Sequence, residues 1–192
     1  NKEYREGDLW HTYTREHNHS LYSVDKIIIP MTAKDTIATF IKDKGLYMDN
    51  SNVWFVYVDG ATDSLMKAIT CVVNSTIFSV LSKSGANPQA GGYYKFNKQF
   101  LAPIPFPSSK LKNNSPVVTK LSSLYDDIVE LQQQYTRSSR AVREMLSHTL
   151  KAKWNELDEI CYGLYEVSET EREQIADIGR TTDRIELLDG VN

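Results

Sequence analysis

The sequence predicts an α+β fold: a mixed β-sheet in its first part, followed by a module of paired helices. Three observations carry this. Short β-branched and aromatic runs, "KIIIP" (Lys26–Pro30) and "VWFVYV" (Val53–Val58), lie before residue 108 and have the composition of strands. From Val117 onward apolar residues recur every three and four positions, the repeat of one helix face. Between the two parts runs "APIPFPSSKLKNN", whose prolines forbid helix and mark a hinge.

The elements are taken in chain order. "KIIIP" reads as a buried strand ended by its proline, while Thr36–Ile41 fits helix or strand. "VWFVYV" reads as a strand closed by the turn pair Asp59-Gly60. Leu65, Ile69, Val72, Val73, Ile77 and Val80 have helical spacing. Ser64 can cap that helix, and Asn74-Ser75 can interrupt it. Asn74, an amide on an apolar helix, must satisfy its hydrogen bonds and reads as structural. "SGANPQAGG" reads as a loop into a strand, "YYKF", in which Tyr93 and Tyr94 point to opposite faces, Tyr93 outward. "FLAPIPFP" (Phe100–Pro107) reads as extended.

Val117, Leu121, Leu124, Ile128, Leu131 and Tyr135 form a 4-3-4-3-4 seam on one long helix. A second runs from about Val142 to Leu164. They read as an antiparallel pair, or as a helical spacer or dimer surface. "SETE" (Ser168–Glu171) has the form of a capping box and starts a last helix. The predicted organisation is a sheet domain over 1–108, a helical module over 109–178 and a frayed tail over 179–192.

Composition narrows the function classes. There are 192 residues, 11 of them Tyr, and the net charge is −3. The charge is uneven. Residues 1–108 carry 11 Lys/Arg against 10 Asp/Glu, residues 109–153 carry 8 against 4, and residues 154–192 carry 3 against 11. A basic middle and an acidic end leave a nucleic-acid-binding surface open despite the negative total. Two cysteines, Cys71 and Cys161, make neither a disulfide framework nor a zinc pattern, and a reducing cytoplasm is the expected compartment. No apolar run is long enough to span a membrane. The first residue is Asn1 and no signal-type segment comes after it, so the chain reads as a piece of a longer protein.

Patterns that would carry catalysis are missing. Asn87-Pro88 is followed by Gln89, without the second proline and aromatic residue of an amino-methylating motif. No carboxylate followed by Glu-x-Lys lies on a candidate strand to hold a divalent cation. There is no Walker loop and no Gly-x-Ser-x-Gly elbow. His11, His17 and His19 cluster, but without a further ligand at standard spacing they read as polar surface, not metal ligands. The chain is expected to be non-catalytic.

The order of pieces carries a resemblance. "LWHTYTREHN" precedes "KIIIP", then come Tyr47–Asn50, a helix containing "VVNS" (Val72–Ser75), and a loop into "GGYYKFNKQFLAPIPFP". Over roughly residues 9–178 this resembles the TaqI-like C-terminal specificity domain. That is the target-recognition domain of bacterial restriction-modification DNA adenine methyltransferases, including single-chain type IIG restriction enzymes. The closing "LDEICYGLYEVSETEREQI" is similar to the end of such chains. The first motif departs from the family: Thr14 stands where glycine is usual and His17 where Gln is common, so only Arg15 is carried over.

The resemblance implies double-stranded DNA as partner. It also implies a methyltransferase domain upstream in the same chain, using S-adenosylmethionine, with Mg²⁺ if a nuclease is attached, and no cofactor in this segment. By position the residues leading into the tyrosine strand, Asn87, Gln89 and Tyr93, are the candidates for reading bases. Amides suit adenine in the major groove, and Gly85, Gly91 and Gly92 would let the loop approach closely. Arg15, Lys26, Lys83, Lys95 and Lys98 are the candidates for phosphate contact. The acidic end after Trp154 is expected to face protein rather than DNA. Two alternatives stand beside this reading: a fragment of a type I restriction specificity subunit, and a non-catalytic protein-binding module.

Overall fold

A computed structural model describes residues 23–42 and 52–189. The fold is α+β. Its first sheet places β1 (Lys26–Pro30) between β3 (Thr39–Ile41) and β4 (Val53–Val56), antiparallel to both. β1 is the predicted buried strand; Ile27 is fully buried and Ile29 nearly so. β4 is shorter than the apolar run that predicts it, ending at Val56. The ambiguous segment resolves into β3.

A second, smaller sheet has the order β2-β6-β5, from β2 (Thr32–Ala33), β6 (Tyr94–Lys95) and β5 (Asn87–Pro88). β1 and β2 adjoin across Met31, which joins the sheets. The Met31 N–H donates to Asn52 O, and its carbonyl accepts from Phe96 N at 2.7 Å. Trp54 Nε1 donates to Phe96 O, also at 2.7 Å. The end of β6 is therefore pinned to the larger sheet.

α1 (Asp63–Asn74) and α2 (Thr76–Gly85) carry the predicted helical run. Thr62, not Ser64, caps α1 through its hydroxyl, which accepts from Leu65 N. The interruption falls at Ser75, which ends α1 and caps α2. The axes bend by 62° there. Among the described residues no single helix is long and apolar enough to cross a membrane; α1 and α2 are apolar because they are core. Asn74 is structural as predicted. Its Oδ1 accepts from Ala38 N and its Nδ2 donates to Ala38 O, both at 2.8 Å. One amide thus replaces a strand partner for the segment entering β3.

Phe100 and Leu101, expected in an extended stretch, instead end a one-turn helix, α3 (Lys98–Leu101). The prolines begin only at Pro103, too late to keep the preceding turn from forming. α4 (Pro116–Arg137) has Pro at its first turn and a Ser115 cap. α5 (Arg140–Tyr165) returns after two residues, so the pair is antiparallel. Along the seam Leu121, Leu124, Ile128 and Tyr135 are buried. α6 (Glu169–Ile178) starts with the predicted capping box at Ser168 and Glu171.

The helices do not form a separate module. One core joins Leu65, Ala68, Cys71, Val72 and Ile77 from α1 and α2 to Leu121, Leu124, Ile128, Leu157 and Cys161 from α4 and α5. A helix seam needs an apolar surface to cover it, and α1 supplies that surface. Nor is the segment after Gly179 a frayed tail within the described residues. It straps back across the molecule and ends in α7 (Glu186–Asp189). Arg180 donates to Asn74 O and Thr36 O. Arg184 donates to Asn74 O, Thr76 Oγ1 and both oxygens of Asp158. Ile185 is buried against Tyr135, Leu146 and Leu150.

Candidate nucleic-acid interface

The small sheet and its hairpin gather four of the eight residues singled out by sequence, Asn87, Gln89, Tyr93 and Lys95. Antiparallel register places Thr32, Lys95 and Asn87 side by side across the three strands. Cross-strand neighbours share a face, and all three are exposed. The next row, Ala33, Tyr94 and Pro88, faces the other way. Ala33 is buried, and the Tyr94 ring stacks on Phe96 with centroids 6.3 Å apart. The pleat therefore separates one polar, open row from one that is packed against the body at Ala33 and Tyr94 and open at Pro88.

Gln89, exposed, closes the hairpin: its N–H donates to Tyr93 O at 2.7 Å. Ala90–Gly92 make the tip as a 3₁₀ turn, with Gly91 at φ 74° and Gly92 at φ 77°. Two successive left-handed residues explain the glycine pair. The Gln89 side-chain amide donates to the neighbouring Pro88 carbonyl. Tyr93 is 43% exposed, the outward member of the tyrosine pair, and Lys34 Nζ lies 5.6 Å from its ring centroid. Lys98, exposed, opens α3 just beyond the strand. Among the described residues Lys34, Lys95 and Lys98 have no ion-pair partner. Their charge is available to a ligand.

Sequence reasoning overlooked Lys34 and Thr32. Both lie two residues apart just after β1, an alternation that could have been noticed. Their approach to Tyr93 and Lys95 depends on a pairing between segments sixty residues apart, which no local pattern reports.

Two lysines expected on phosphates are placed elsewhere. Lys26 is fully buried in β1, where no phosphate reaches it. Lys83 is buried at its side chain and forms an ion pair with Asp35; its Nζ also donates to Thr181 Oγ1. Asp35 further accepts from Ser79 Oγ and from the Thr181 and Thr182 N–H groups. Burial pushes the Asp35 carboxyl upward in pKa. The Lys83 hydrogen bond, the Arg180 charge and the Thr182 N–H outweigh it and hold the group below the usual carboxylate value. Lys83 thus helps hold the strap to Asp35, in the segment between β2 and β3. Arg15, the three histidines His11, His17 and His19, and the Tyr47–Asn50 motif lie outside the described residues.

The charge asymmetry also has an internal cause. Lys110 pairs with Glu166, Lys120 with Glu156, Arg143 with Asp189 and Lys151 with Asp183. Each pair joins the basic middle to the acidic end. Such exposed pairs contribute little individually, but they neutralise charge that would otherwise dominate both surfaces.

Among the described residues no three His, Cys, Asp or Glu side chains converge as metal ligands. Cys71 and Cys161 are buried free thiols. Burial pushes Cys161 up to about 12 and Cys71 well above its ordinary value, so neither is a nucleophile in the folded state. No protein-family model matches the chain, and no curated protein matches it.

Proposed function

We propose that this chain is a sequence-specific DNA-recognition module of a restriction-modification methyltransferase and is itself non-catalytic. The observation that supports it best is the exposed row Thr32–Lys95–Asn87, extended by Gln89 and Tyr93 at the tip and flanked by Lys34 and Lys98, which have no ion-pair partner among the described residues. A two-stranded ribbon fits the major groove, and amide side chains can pair with adenine there. Lysines around it supply phosphate contacts that set the register without choosing sequence. The methyl donor and the flipped base belong to a separate methyltransferase domain.

Selection of duplexes from a random pool tests the reading. The expected result is one enriched sequence. Gln89→Ala then loses about 1–3 kcal/mol of discrimination at one base pair. Lys95→Ala weakens every duplex alike and lowers the salt slope by about one. A pool that stays random at low salt removes the proposal.

A second reading, a protein-contact role for the helix pair, draws on exposed Val142 and Met145 at the start of α5. It predicts association that Met145→Lys abolishes while DNA selection is unchanged.

A further inference from the structure

We propose that the β5 edge of the small sheet reads two adenines on one DNA strand, separated by a single base pair, one through Asn87 and the other through Gln89. This rests on the DNA-recognition reading above and adds to it the identity and spacing of the bases. The register of the small sheet carries it. Lys95 is paired with Thr32 on one side and with Asn87 on the other. Two residues further on, the same antiparallel register sets Lys34, Tyr93 and Gln89 in a second row on the same face. Two contacts agree with that row: the Gln89 N–H donates to Tyr93 O at 2.7 Å, and Lys34 Nζ lies 5.6 Å from the Tyr93 ring centroid. The backbone is extended at both Gln89 and Tyr93, so the alternation of faces continues past the ends of the strands.

The open face is therefore two rows of three side chains, and its chemistry is sorted by strand. The amides Asn87 and Gln89 lie on β5 and its extension, an outer strand of the sheet. Lys34 lies just past β2, the opposite outer strand, and Lys95 lies on β6 between them. The major groove admits a ribbon of two strands. With β5 and β6 in the groove, β2 and Lys34 fall at the phosphate wall. The amide edge turns to the bases because a carboxamide matches the paired donor and acceptor of adenine. The cationic edge turns to the backbone, where lysine sets position without choosing sequence.

The spacing follows from two rises. Residues i and i+2 of a strand lie about 6.8 Å apart, and a DNA strand rises about 3.4 Å per base. Two residues of β5 therefore match two base steps, and the base between is skipped. Both amides leave one strand on one face, so they meet bases of the same DNA strand. Pro88 stands between them. It fixes its own φ and holds Asn87 extended, so the separation is set before binding. Neither amide is needed for the turn. Gly91 and Gly92 make it, and Gln89, at the head of the 3₁₀ turn, forms no side-chain capping bond. The bond from Gln89 Nε2 to Pro88 O leaves Oε1 and the second Nε2 proton for a base.

Selection from a random duplex pool by the wild-type chain, Asn87→Ala and Gln89→Ala tests this. Both side chains are exposed, so the variants should keep the wild-type melting temperature. The wild type is expected to enrich adenine at two positions of one strand with one position between them. Each variant should lose a preference of about 5–150-fold for adenine at one of the two and keep the other. Replacing one adenine by 7-deazaadenine, which lacks the N7 acceptor, then identifies each contact. At one position it should weaken the wild type and not Asn87→Ala; at the other it should weaken the wild type and not Gln89→Ala. The spacing is overturned, with DNA recognition left standing, if a sequence is enriched but the two variants relax adjacent positions, more distant positions, opposite strands, one shared position or none. A pool that stays random at low salt removes both.

Discussion

Removing the Asp158 carboxylate should be among the most damaging single changes in this chain. Its side chain is 12% exposed and accepts four hydrogen bonds. Two come from Thr76, at 2.7 Å from N and 2.8 Å from Oγ1. Thr76 is the first residue of α2, so the carboxylate also meets the positive end of that helix. The other two come from Arg184, at 2.9 and 3.0 Å. Asp158→Ala leaves a buried guanidinium without its counter-ion and an N-terminal amide without its acceptor. Losing one partner of a buried pair costs about 3–5 kcal/mol. For a chain of this length that is a fall of about 6–20 °C in melting temperature. Urea unfolding followed by circular dichroism measures it, with a shifted midpoint and an unchanged slope. A double-mutant cycle with Arg184→Ala should give a coupling of about 0.5–3 kcal/mol. A loss under about 1 kcal/mol, or strictly additive single changes, would show that the strap is held by its backbone contacts and not by this pair.

Three further outcomes are expected. Asn74→Ala strips both polar partners from Ala38 and should cost about 2–4 kcal/mol by the same unfolding assay, at roughly 1–3 kcal/mol per unsatisfied group, partly relieved by solvent. Asp35 has its folded pKa below its unfolded value, so its stabilisation is full above about pH 4 and drains away as pH falls through the folded value. Asp35→Asn should therefore melt lower at neutral pH and show a flatter acid limb than wild type; parallel limbs would contradict the assignment. Cys71 and Cys161 should resist a thiol reagent in the native chain and react together on unfolding, since both are buried with raised thiol pKa values.

The parts of the fold legible in the sequence are those set by neighbours along the chain. The seam of α4, the Ser168 capping box, the break at Ser75 and the buried "KIIIP" strand each arise from residues within a few positions of one another. The pleat of Tyr93 and Tyr94 was legible for the same reason. What escaped depends on distant partners. Lys83 has the same sequence character as Lys95, yet one meets Asp35 and the other meets solvent. "GRTTDR" reads as solvated, and its two arginines become structural only because Thr36, Asn74 and Asp158 converge beneath them. The packing of α1 and α2 against α4 and α5 in one core was hidden because a proline-rich hinge looks alike whether it separates two bodies or folds one over the other.

Because Arg180 and Arg184 close contacts first opened at Thr36, the nascent polypeptide holds an incomplete fold until the ribosome has passed the strap. Asp35 and Asp158 wait with part of their countercharge still untranslated. Final closure must therefore come late, and a messenger truncated just short of Arg180 would release a product that chaperones and proteases meet as unfinished.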